Sequence, residues 1–143
     1  VGFVLRGFAL WALSNVEATG EAPIEAFVAW PSGLLSFGTL AVVAPVAEEV
    51  FFRGFVFGAI DDGRWGGRRA LAFLLAWSLF ALAHLQQVWG NWGGLLAVTT
   101  AGLVFTSLRA LSGSTLVPAL AHLVYNALLS VSVLTAALAG FAP

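Results

Sequence analysis

The sequence predicts an all-α fold, a polytopic transmembrane helix bundle with about four complete spanning helices and a partial N-terminal helix. Hydrophobic residues make up 60% of the 143 residues and charged residues only 9%, where a soluble domain carries roughly 25% charged. Four apolar runs, 34–60, 70–88, 92–108 and 116–141, approach or exceed the roughly 20 residues that a spanning helix needs. The stretches that separate them, 61–69, 89–91 and 109–115, hold five of the 16 glycines and six of the 13 charged residues. The length leaves room for one membrane-embedded domain, residues 1–143, with its motif-bearing core at about 34–130.

Taken in order, the first apolar stretch, 1–13, is too short to span and is interrupted by Arg6, so it reads as the remainder of a helix whose start is missing. Residues 14–25 hold Glu17, Gly20, Glu21, Pro23 and Glu25 and read as a surface loop. Pro31, Ser32 and Gly33 break the chain before the 34–60 run, in which Pro45 is expected to kink the helix one turn before Glu48. A polar turn, 61–69, contains Gly63, Gly66 and Gly67. Trp65, Trp89 and Trp92 fall at run ends, where amphipathic rings sit at headgroup level. Gly54 and Gly58 form a GxxxG spacing and, with Ala101 and Gly102, are expected at close helix contacts. Arg64, Arg68 and Arg69 share one loop and Arg109 lies two connections later, which makes that side cytoplasmic by the positive-inside rule.

Composition also narrows the chemistry. The chain has no cysteine, hence no disulfide, no thiolate nucleophile and no cysteine metal cage. All six cationic residues are arginine, the net charge is -1, and no basic surface invites nucleic acid. The partner that composition implies is membrane lipid.

Costly groups are nevertheless concentrated within the apolar runs. Glu48, Glu49 and Arg53 lie in the first run, and both histidines, His84 and His122, lie in later ones. An ionisable side chain at mid-bilayer costs roughly 2.5 to 3.5 kcal/mol on insertion scales, so it is kept there for a pathway, a relay or chemistry. At 1.5 Å per residue, Glu48 lies roughly 20 Å from the Asp61 end of its helix and His84 roughly 22 Å from Arg69. His122 and Asn126 lie roughly 12 and 18 Å from Ser114, which puts all four groups in one layer. Helical spacing pairs Glu49 with Arg53 and turns Glu48 about 100° away, free to address something else. Phe80 supports His84 from four residues away, and His122 and Asn126 share one face of the last helix.

These residues can be read as a hydrolytic centre. Peptide hydrolysis needs an activated water, an oxyanion donor and a proton for the leaving amine. With no cysteine and no GxSxG elbow, activated water is what remains. Glu48 would take its proton, His84 would polarise it, and His122 with Asn126 would donate to the oxyanion. Glu48, His84 and His122 are also an acceptable zinc set, although there is no HExxH helix. Two readings compete: a proton-coupled transporter, which gives no reason for the Phe and Asn at four-residue offsets, and a haem site on the two histidines, which ignores the carboxylates.

Three motifs resemble those of one family. Glu48-Glu49 with Arg53 resembles EExxxR, Phe80 with His84 resembles FxxxH, and His122 with Asn126 resembles HxxxN, as in the CAAX protease and bacteriocin-processing (Abi) family of intramembrane endopeptidases, which includes the CAAX prenyl protease 2-like proteins. The resemblance covers about residues 34–130 and implies peptide hydrolysis inside the bilayer, with Glu48, Glu49, Arg53, His84, His122 and Asn126 as the catalytic set. It implies a membrane-associated, prenylated or other C-terminus as substrate, and a mechanism described for the family both with zinc and without it. Family members carry further N-terminal helices, and a multi-pass protein of a prokaryotic cell membrane is expected.

Overall fold

The computed structural model describes residues 42–138, all of whose regular structure is helical. The expected partial N-terminal helix, the acidic loop and the start of the 34–60 run lie outside the described residues. Helix α1 runs through Ala44–Glu49, a π-helical stretch Val50–Val56 and Phe57–Ile60. It is followed by α2, Gly67–His84, α3, Trp92–Ser112, and α4, Leu116–Leu138. The four helices occupy the four expected runs. Of these, α3 is long and apolar enough to cross a membrane by length and composition.

Local chemistry sets the ends. The Asn91 side chain accepts from the Gly94 amide at 2.9 Å and caps α3, and Gly113, at φ 69°, closes it in the left-handed conformation that glycine adopts without strain. The second run stops being helical at His84, four residues before its apolar end, because the chain turns through residues 85–90 there.

The helices pack in a ring, α1 against α2, α2 against α3, α3 against α4 and α4 back against α1. At the arginine-bearing end, Phe57, Ala72, Ala76 and Ala110 form a buried cluster, the alanines letting α2 approach α1 closely. Most of the outward surface is apolar, with Phe55, Leu82, Leu96, Leu120, Val124 and Leu128 all more than half exposed.

The expected glycine contacts divide. A Cβ on Gly102 would lie 2.7 Å from the Phe80 ring, so only glycine permits that α2–α3 contact. A Cβ on Gly54 would meet Thr115 at 3.7 Å, whereas one on Gly58 would meet nothing within 4 Å among the described residues, so the expected GxxxG contact forms there at Gly54 alone.

Pro45, which has no N–H to donate, follows two residues, 42–43, that are themselves π-helical, so it stands within the helical run. A longer distortion of α1 follows it, where the Phe57 amide reaches the Phe52 carbonyl five residues back. In an α-helix, side chains four apart overshoot one turn by about 40°, so three such steps drift by about 120°. A turn closed by i→i+5 bonds holds more residues and takes up that drift. Pro45, Glu49, Arg53 and Phe57, each four apart, are accordingly all buried.

Between α1 and α2, Arg69 binds Asp61 through two hydrogen bonds of 2.9 and 3.0 Å, lies 4.7 Å from the Trp65 ring centre, and reaches the Ala110 carbonyl at 3.4 Å. The arginine-bearing ends of α2 and α3 therefore meet. The Arg69 hydrogen bond holds the Asp61 carboxyl below the ordinary carboxylate range, helped by the Gly63 amide. Stability from this pair is present above the unfolded value, near 3.9, and is lost as pH falls through the lower folded value. Asp61→Asn should melt below the parent at pH 7, and the two melting temperatures should converge as pH drops below about 4. A constant gap across that range would count against the pairing.

Candidate active site

Glu49 and Arg53 form the ion pair that their spacing predicts, Nη1 to Oε1 at 2.9 Å, with both side chains fully buried. The same Oε1 also faces His122 Nδ1 on α4 at 2.9 Å. Spacing within α1 assigns Glu49 to Arg53 alone; the fold makes it a bridge between Arg53 and the second histidine. An oxygen already accepting from Arg53 acts toward His122 as an acceptor, so Nδ1 carries the proton and donates.

His84 has the same arrangement with a different partner. Its Nδ1 lies 2.8 Å from the Phe80 carbonyl, and a carbonyl can only accept, so Nδ1 is again the protonated nitrogen. In their neutral forms both imidazoles then present a bare Nε2. These two atoms converge on Glu48, whose Oε2 lies 3.7 Å from His84 Nε2 and 4.0 Å from His122 Nε2. That Oε2 is buried and has no hydrogen-bond partner among the described residues.

Aromatic rings hold these groups in place. Phe80 lies 4.4 Å from the His84 ring and 4.4 Å from the Arg53 guanidinium, so one side chain steadies two polar groups. Phe105 stacks on His122 at 4.4 Å and 25°. Asn126 lies half-buried on α4 one turn beyond His122.

The structure thus brings Glu48, Glu49, Arg53, His84 and His122 together in one layer between α1, α2 and α4. Sequence reasoning passed over the contribution of α3, which carries none of the three motifs. Arg53 reaches across the ring to the Gly102 carbonyl at 2.9 Å and to Thr106 Oγ1 at 3.2 and 3.3 Å. Arg109 Nε returns the contact, donating to the Arg53 carbonyl at 3.0 Å inside the π-helical stretch. The available signal was small: Gly102 and Thr106 stand four apart in the middle of an apolar run.

By chemistry, two bare Nε2 atoms and an unpartnered carboxylate oxygen suit zinc, and each imidazole is held through its other nitrogen as metal-ligating histidines are. Their spacing is wider than zinc asks. With bonds of about 2.0–2.1 Å, tetrahedral ligands stand about 3.3 Å apart, and no group of three potential ligands close enough to hold a metal occurs among the described residues.

Comparison with known proteins agrees with the motifs. A stretch of 50 residues is 36% identical to UPF0177 protein YxdF of Lactococcus lactis subsp. lactis (strain IL1403), covering 35% of this chain and 25% of that protein. The match thus spans about a quarter of that relative's length. No solved structure matches the chain. The family model described as type II CAAX prenyl endopeptidase Rce1-like matches residues 29–128, a span that contains all three motifs. With its carboxylates, arginine and histidines gathered in one layer, the chain belongs to the Rce1-like family of type II CAAX prenyl endopeptidases.

Proposed function

We propose that this chain is the catalytic core of a multi-pass intramembrane endopeptidase that cleaves membrane-associated protein C-termini, prenylated ones among them, by water activated at Glu48. The observation that carries the reading is the meeting of two Nε2 atoms with a buried Glu48 oxygen that has no hydrogen-bond partner among the described residues. The exposed apolar flanks of all four helices support a lipid surrounding, since a soluble monomer rarely exposes so much apolar surface. The arginine-bearing end is the cytoplasmic one in this reading.

A water between Glu48 and His84 has two protons for two acceptors, Glu48 Oε2 and His84 Nε2, which leaves a lone pair for the scissile carbonyl. Glu48 takes the water proton as the new C–O bond forms. His122 has no proton on Nε2 to give until it becomes an imidazolium, and Glu49 on its Nδ1–H stabilises that form as the carboxylate of a catalytic triad does. With His122 charged, the layer holds Glu48 and Glu49 against Arg53 and His122, two charges of each sign. The imidazolium then serves the oxyanion together with the Asn126 amide, and Glu48 returns its proton to the leaving amine.

A zinc-assisted version draws on the same three side chains. Glu48, His84 and His122 would hold the ion, which would supply Lewis acidity and a more acidic water. The bare state of both Nε2 atoms favours it; the spacing does not.

The test uses the detergent-purified protein with prenylated and unprenylated C-terminal peptides, products read by mass spectrometry, and elemental analysis of the same sample. Cleavage that depends on Glu48, persists in chelator and comes with background zinc is expected. Stoichiometric zinc that His122→Ala loses, with reversible silencing by chelator, would move the mechanism to the metal. No cleavage of any peptide would sink the peptidase reading.

A further inference from the structure

We propose that Thr106 is a positioning residue for the Glu49–His122 pair, acting through Arg53 from a helix that carries none of the three motifs. Glu49 is attached to Arg53 by a single oxygen, Oε1, while its other oxygen is buried without a hydrogen-bond partner. A one-point contact lacks the directional fork of a bidentate pair, so it does not by itself fix the carboxylate. The orientation of the Oε1 that His122 meets therefore follows from whatever holds the guanidinium.

That support comes mainly from α3. A hydroxyl has one proton and two lone pairs, and Thr106 uses all three: it donates to the Gly102 carbonyl at 2.7 Å and accepts from Arg53 Nε and Nη2. Arg53 Nη2 also binds the Gly102 carbonyl directly, so guanidinium, hydroxyl and carbonyl close a triangle. The Thr106 side chain is fully buried, which excludes water as a substitute partner. Among the hydrogen-bonding partners of Arg53, Glu49 and Thr106 are side chains and Gly102 serves through its backbone, so Thr106 is the one that mutation can remove without touching the motifs. Loss of its hydroxyl frees one edge of the guanidinium to swing about its remaining contacts. Glu49 Oε1 then no longer holds His122 in the Nδ1–H form, and the neutral ring relaxes toward the Nε2–H tautomer that free imidazole side chains favour.

The experiment compares the parent with Thr106→Val and Thr106→Ser, each purified in detergent with ¹⁵N-labelled histidine. The chain has two histidines, and His84→Gln assigns their signals. In the parent, His122 should show the Nδ1–H tautomer at neutral pH; Thr106→Val should shift it toward Nε2–H, and Thr106→Ser should restore it. The kinetic arm rests on the peptidase reading. Thr106→Val should lower kcat by about 10- to 100-fold, as loss of an outer-shell partner does, with KM nearly unchanged and Thr106→Ser close to the parent. Should Thr106→Val not fold, Thr106→Ala removes the same hydroxyl and must give the same results. An unchanged His122 tautomer, or a Thr106→Ser variant as impaired as Thr106→Val, would overturn the proposal. A parent that cleaves nothing overturns the peptidase reading instead, and the tautomer measurement alone then decides the role of Thr106.

Discussion

Glu48→Gln lowers kcat by about 10²- to 10⁴-fold, the usual contribution of a positioned general base, and leaves thermal unfolding in detergent unchanged. The two halves follow from one fact. The Glu48 oxygen facing the histidines makes no hydrogen bond in the resting protein, so an amide in its place breaks no structural contact there. It does remove the carboxylate that, among the described residues, faces both Nε2 atoms and can take a proton. Rates and melting curves of the same preparation check both; a folded variant with near-parental turnover would refute the assignment of Glu48 as base.

Glu49→Leu produces the largest loss of stability, about 3 to 5 kcal/mol, because it leaves the Arg53 charge buried without its counterion. The groups left in contact with Arg53, the Thr106 hydroxyl, the Gly102 carbonyl and three aromatic rings, are neutral, and Glu48 acts on it only through space. Replacing both members of a buried pair by apolar side chains is often neutral or stabilising. The double variant Glu49→Leu, Arg53→Met should therefore recover most of the lost stability while remaining inactive, since His122 has lost its Nδ1 partner. Chemical unfolding in detergent separates the cases: single and double variants of equal stability would show that the pair is not the source of the cost.

The contrast between these two carboxylates was half legible in the sequence. Spacing of four along a helix is a local property, so Glu49–Arg53 and Phe80–His84 could be read without a fold, and both contacts form. The separation of Glu48 from that pair followed from the same geometry. What could not be read is any contact set by how helices face one another. His122 lies 73 residues from Glu49, and no local period tells which nitrogen it turns to a carboxylate. With Nδ1 turned to Glu49, it is Nε2 that faces Glu48. The π-helical turns of α1 were hidden for another reason: Val50–Val56 has the composition of an ordinary apolar helix, and the wide turns show only in the hydrogen bonds. The same limit explains Gly58, whose GxxxG spacing marks a face without saying what lies against it.

The partners of Arg53 and Glu49 also impose an order on the birth of the protein. Both residues leave the ribosome with α1, but the Gly102 and Thr106 acceptors follow 49 and 53 residues later, and His122 follows Glu49 by 73. While the chain is still growing, the early pair has only its own members to satisfy it. The layer is completed when α4, which follows the other three helices in the chain, docks against α1 and brings His122 to Glu49. A chain halted before that step carries both carboxylates and no second histidine, so Glu49 there has Arg53 but not the ring it meets in the finished layer.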